Sequence, residues 1–325
     1  MHRAREYLSN WRWLMLLLST WVAGVAAAPV ASLYGAVVPE SDPQRASQLA
    51  MREVLVRLVG TREAAEDPAL SGIIEDARRY VQVERATTRG ATQVIFDAAM
   101  LRSAITSAGR SVWDPDRPLL WVVLPVLSGA GSDELRAQLG AEAAVRGLPI
   151  ALVSADSPGA AGVAGAPAGA GAGAAALLAA AHRAGAMAAL LAQPSAADPQ
   201  TLQWSLVAAS AEGHWTGGAA AAIDGATDAL VRASHELEGT PAAEFDCRIS
   251  GVTDLAGFTA VLDSVGSAPG VSDLTLRAVD ADQVTLHFKS RGGASALTRA
   301  LSGARLHAIG GGSGGVLQYR YQSGS

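Results

Sequence analysis

Two residue types are almost missing from this chain: Cys247 is its only cysteine and Lys289 its only lysine among 325 residues. One cysteine excludes an internal disulfide, so packed cores must hold the fold together even in an oxidising compartment. Lying so far downstream, Cys247 also excludes a lipid anchor on an N-terminal cysteine. Arginine, alanine and glycine are abundant instead, a bias that fits GC-rich codon usage and carries no functional signal of its own. A basic surplus is absent too. The formal charge is −5, and −7 once Arg3, Arg5, Arg12 and Glu6 are removed with the first 27 residues. That balance argues against nucleic acid as a partner and against docking to anionic lipid.

What is present begins at the N-terminus. Arg3, Arg5 and Arg12 precede the apolar run 13–28, which ends in small residues. The run is shorter than the roughly 20 residues of a spanning helix. Charged head, short apolar middle and small-residue exit form the pattern of a secretory signal peptide, with cleavage expected after Ala27. The expectation is a soluble periplasmic protein; the alternative is an uncleaved segment anchored in the inner membrane.

Beyond the signal, three units are expected. The first, residues 28–118, reads as α+β. It has a strand ending at Val38, a helix capped by Asp42 with Pro43 at its first position and Gly60 at its end, and a second helical segment from Pro68 to Val81. A strand over Thr92–Phe96 and a helix from Ala98 to Ala108 complete it. Asp114-Pro-Asp-Arg-Pro118 is a stiff turn taken as the boundary, with Arg117 as counter-ion to its aspartates.

The second unit, 119–242, reads as a layered α/β domain. The apolar run Leu119–Leu127 suits a strand buried on both faces, although Pro125 argues for a sheet edge at its end. A helix stopped by Gly147 and a strand over Pro149–Val153 follow, so a parallel pair is expected. Residues 154–174 are nearly all Ala, Gly, Pro and Ser and are expected to form a flexible loop. A helix, a short strand, a hairpin around Glu212-Gly213 and a helix over about 220–237 then finish the domain. The third unit, 243–325, alternates as strand, helix, two strands, helix and strand, with Leu255, Phe258, Leu262 and Val265 at helical spacing. That βαββαβ order is the order of a ferredoxin-like sandwich.

Several short signatures run through these units: Ala31-Ser-Leu-Tyr34, Val54-Leu-Val-Arg-Leu-Val-Gly60, Ala77-Arg-Arg-Tyr-Val81, Val112-Trp113 with Arg117-Pro118, Leu120-Trp-Val122, and Ile249-Ser-Gly-Val252 with Leu255 and Phe258. Together they resemble the bacterial domain of unknown function 2066 family of secreted proteobacterial proteins. The shared residues are packing and turn residues. The resemblance therefore implies export and no activity, cofactor or site residue.

The chemical constellations are sparse. Gly310-Gly-Gly-Ser-Gly-Gly315 matches both a nucleophile elbow at Ser313 and a dinucleotide fingerprint, but each needs a helix afterwards, and the strand-patterned Val316–Tyr321 follows. His182, His214, His235, His287 and His307 lack metal-site spacing. His182 falls in a last helical turn, where a cation suits the helix end, and His287 is expected to face solvent. Cys247 alternates with Phe245 and Ile249 and reads as a buried, inert thiol. Asp114 with Asp116, and Asp280 with Asp282, read as turn formers. Trp204 and Trp215 form a sugar-stacking platform only if exposed together. No catalytic, cofactor-binding or metal residue is assigned. The expectation is a non-enzymatic envelope binding or scaffold protein that holds an envelope protein partner through sheet edges or an interdomain groove. The alternatives are a hydrolase of peptidoglycan or glycan and a small-ligand-binding protein using the cleft between the second and third units.

Overall fold

The computed structural model describes residues 33–87, 90–126, 130–163, 172–195, 201–266, 268–291, 293–301, 305–311 and 316–322. Residues 1–32, over which a signal peptide is expected, lie outside them. Among the described residues the chain is a mixed α and β protein with three sheets, and no helix is long and apolar enough to cross a membrane.

The first sheet has order β1-β3-β2 and is antiparallel throughout, from β1 (Gly35–Val38), β2 (Val81–Ala86) and β3 (Thr92–Phe96). Helix α1 (Pro43–Val59) starts where Asp42 accepts from the Arg45 N–H and ends at Gly60, whose left-handed φ of 85° returns its N–H to the Val56 carbonyl. Such a turn favours glycine. Ala46, Ala50, Met51, Val54, Leu55 and Leu58 recur at helical spacing and are all buried against this sheet. The expected helix from Pro68 to Val81 is broken: a short α2 (Ser71–Glu75) sits between two 3-10 turns, and the chain then extends as β2. β2 carries little sequence signal: Val81-Gln-Val-Glu-Arg alternates weakly and pairs at a sheet edge, where burial does not enforce a pattern. Helix α3 (Ala98–Ser107) is capped by Asp97, which accepts from the Met100 N–H.

The second sheet has order β5-β4-β6-β7-β8, formed by β4 (Leu120–Leu124), β5 (Ile150–Ser154), β6 (Ala188–Pro194), β7 (Leu202–Ala208) and β8 (Glu212–Thr216). β4 runs parallel to both β5 and β6, and the last three strands are antiparallel neighbours. The apolar run of β4 divides by twos. Leu120, Val122 and Leu124 join a core with α4 (Ala130–Arg146) and α6 (Ala219–Glu238), while Trp121 and Val123 join another under α5 (Ala172–Arg183). Both faces are covered, which is why the run is continuous. Pro125 follows the strand and does not mark an edge, since β4 has a neighbour on each side. The Ala/Gly stretch is more ordered than its composition implies. Residues 155–163 make successive turns that bury Ala160 and Val163 in the α5-side core, and residues 164–171 lie outside the described set.

The third sheet has order β10-β11-β9-β13-β12, from β9 (Ala243–Ser250), β10 (Val271–Asp280), β11 (Gln283–Ser290), β12 (Leu306–Gly311) and β13 (Val316–Tyr321), with α7 (Leu255–Gly266) and α8 (Gly293–Leu301). It exceeds the expected βαββαβ order by one strand. β13 returns from β12 as a hairpin and lies beside β9 in parallel, a pairing that short-range sequence pattern does not encode. Gly257, Val261 and Val265 form the buried stripe of α7, whereas Leu255, expected to join it, is 78% exposed at the helix start.

Candidate functional site

Two places gather polar chemistry: the joint between the first and second sheets, and a groove between the second and third. The joint is built on helix ends. The last carbonyls of a helix lack intrahelical partners and carry partial negative charge, and here arginines from elsewhere in the chain meet them. Arg117 donates through Nη2 to the Arg57 carbonyl at 2.5 Å, and through Nη1 to the carbonyls of Arg146 at 3.0 Å and Gly147 at 2.8 Å. It therefore closes the ends of α1 and α4 at once, and the nearby Asp114 charge still favours its cationic form, as a counter-ion in its own turn would. Asp114 also accepts the Asp116 N–H, the turn-forming role expected of it. The Arg117 guanidinium also lies 4.1 Å over the Trp113 ring. Burial, reinforced by the nearby Arg57 and Arg146 charges, pulls its pKa down to about 10, so it stays a cation at neutral pH.

Arg146 is the second rivet. Its side chain is 1% exposed and donates to the Gly60 carbonyl at 2.8 Å, to Asp224 at 3.0 Å and to Asp228. Arg62 reaches across to the same Asp224 and to Glu142. A buried arginine is tolerated only when paired and hydrogen-bonded, and carboxylates spaced one turn apart on α6 supply that. The chemistry of the joint is mechanical: it holds the first sheet's helices on α4 and α6.

The groove encloses about 1170 Å³. One wall is the Trp113–Leu119 segment, the end of α5 with His182 and Arg183, the Ala208–Ser210 turn and the flank of α6. The other is the end of α7, residues 268–272, Arg291, Arg305 and Leu306. It opens at the amino ends of β4 and β6, opposite to the carboxyl-end crevice where parallel sheets usually bind ligands. Its lining mixes arginines with Asp114, Asp116 and Asp263. Burial pushes the His182 imidazole pKa down, toward the neutral form, so it does not act as the helix-end cation expected from its position. Its Nε2 is buried without a hydrogen-bond partner.

The remaining sequence candidates lie apart. His214 on β8 meets the buried Ser205 hydroxyl through Nδ1 at 3.0 Å, a pair created by cross-strand register and invisible in the sequence. Ser205 is 2% exposed, so this hydroxyl is closed to a substrate. His287 is paired through Nδ1 with Asp246 at 2.9 Å across β9 and β11 rather than simply facing solvent. His235 is in the last turn of α6 and His307 on β12. Trp204 is fully buried, with Nε1 donating to the Gly217 carbonyl, so it forms no platform with Trp215. Cys247 is fully buried and burial pushes its thiol up to about 12. Ser313 lies outside the described residues. Among those residues no group of three His, Cys, Asp or Glu side chains is placed to hold a metal ion.

A family model described as Domain of unknown function (DUF8605) matches residues 27–114. This overturns the resemblance to the 2066 family: the quoted signatures are packing and turn residues, which do not single out one family. The matched segment ends at Asp114, so it holds Arg57, Gly60 and Arg62 of the joint and none of the partners that α4, α6 and Arg117 supply. No curated protein and no solved structure matches the chain.

Proposed function

We propose that this chain is an exported cell-envelope protein acting as a non-enzymatic binding scaffold, with residues 1–27 removed on export and a partner held in the groove between units 119–242 and 243–325. The groove itself carries the reading: about 1170 Å³ of space falls between two separately cored sheets, walled by mixed charged and apolar side chains from each. Binding sites concentrate at such domain boundaries. The first unit, 28–118, serves as a brace locked to the central unit by Arg117 and Arg146. The C-terminal unit is read as a ferredoxin-like sandwich in which β12, antiparallel to β9 in direction, takes the fourth-strand role and β13 is inserted between them. The hydrolase alternative is weaker because Asp114 is engaged in its own turn.

The test is site-specific photocrosslinking in living cells. A photoreactive residue in place of Met187 or Ser210, both lining the groove, is expected to give one discrete partner band in the envelope fraction. The same residue in place of the exposed Met100 on α3 gives none. Identical patterns from all three positions, or recovery of the protein in the cytosol with residues 1–27 intact, overturn the proposal.

A further inference from the structure

The sheet edges are not treated alike. Exposed strand edges invite pairing with another chain, and proteins blunt them with bulges, brevity or covering elements. β10 carries two register shifts and a left-handed Asp273 at φ 54°. β12 has an irregularity between Ala308 and Gly310, and β2 one between Val81 and Val83. β1 has only four residues, and β5 begins with the buried Ile150 and Ala151. Among the described residues, β8 shows no bulge and no covering strand. All five residues hold unbroken register with β7, Glu212, His214 and Thr216 are exposed, and none of the five is buried. Its other face is supported by α6, where Gly225 leaves room for the Trp215 ring; a Cβ there would fall 2.5 Å from the indole.

We infer that β8 is a self-association edge, on which β8 of a second copy pairs antiparallel about a two-fold axis perpendicular to the sheet. Directly opposed residues in an antiparallel pair share a face, and the register that engages all five residues places His214 against its own copy. Glu212 then faces Thr216 of the second copy, and Gly213 faces Trp215. No carboxylate opposes a carboxylate, and the hydroxyl of Thr216 can donate to Glu212, while each Trp215 ring stays packed on Gly213 and Gly225 of its own chain. The result is one ten-stranded sheet through the dimer.

Register makes this testable by disulfide trapping, because the only native thiol, Cys247, is buried. In the purified protein, His214→Cys puts two thiols on the axis with Cα atoms about 4.5–5.5 Å apart, within disulfide range. Thr216→Cys leaves its two thiols roughly 14 Å apart. Under mild oxidation the first is expected to give a covalent dimer and the second a monomer. Sedimentation adds a readout independent of cysteine: Thr216→Lys, facing Glu212, tightens the dimer about fivefold, and Thr216→Glu loosens it by a similar factor. A wild-type monomer at every concentration, equal crosslinking by both cysteine variants, or a dimer indifferent to charge at position 216 overturns the inference.

Discussion

The Arg117 guanidinium lies 4.1 Å above the Trp113 ring while two of its nitrogens reach carbonyls at the ends of two different helices. Four residues apart in sequence, these side chains convert what reads as a simple linker into the seam between the first and second sheets. The planar, delocalised cation suits this dual role, since it can stack and donate along several directions at once. Arg117→Lys is therefore expected to behave as a loss, destabilising the protein by about 2 kcal/mol through the missing stack and fork. Urea denaturation followed by tryptophan fluorescence measures it; a lysine variant as stable as the parent refutes the role.

Arg146 and its acids are unequal partners. Removing the arginine leaves Asp228 and the Gly60 carbonyl without this donor, leaves Asp224 with Arg62 alone, and opens a void at a position 1% exposed. Arg146→Ala is expected to cost about 3 kcal/mol. Asp228 is 48% exposed, so Asp228→Ala costs less than about 1 kcal/mol. Equal losses from both in chemical denaturation would refute the asymmetry.

Gly60 is constrained twice. Its φ of 85° disfavours a side chain, and a Cβ would sit 2.5 Å from Val231 Cγ2 on α6. Gly60→Ala is expected to cost about 2 kcal/mol or more, the strain adding to the clash. Val231→Ala in the same chain should recover part of it, because it relieves the clash and leaves the strain. A double variant showing simple additivity of the two single losses would argue against contact between the sites.

His182 sets a pH dependence. Its folded pKa is held below the usual 6.5 by burial. Below about pH 6.5 the unfolded chain therefore binds a proton that the folded chain resists. Stability should fall as pH drops through that window and be fully present above it. His182→Gln is expected to flatten this part of the stability–pH curve between pH 7 and 5; an unchanged slope assigns the dependence elsewhere.

Cys247 should be silent toward thiol reagents in the native protein. Its thiol is pushed up to about 12 by burial, so thiolate is scarce at neutral pH, and the side chain is inaccessible. Ellman's reagent is expected to react only after denaturant is added. Stoichiometric reaction of the native protein would show that the third core opens.

Much of the local structure was legible in the sequence because its causes are local. Asp42 with Pro43, Asp97 and Gly60 mark helix ends by hydrogen bonds within a few residues. The Leu120–Leu124 run and the alternation of Phe245, Cys247 and Ile249 record burial on two faces and on one face respectively. What the sequence alone determined about this protein is therefore most of its helices and most of its strands. Tertiary structure alone decided the insertion of β13 beside β9, the burial of Ala160 and Val163, the burial of Trp204 and the meeting of Arg117 and Arg146 with the ends of α1. Each of these depends on partners dozens of residues away, whose approach is set by packing and chain closure, and no spacing within a short window records it.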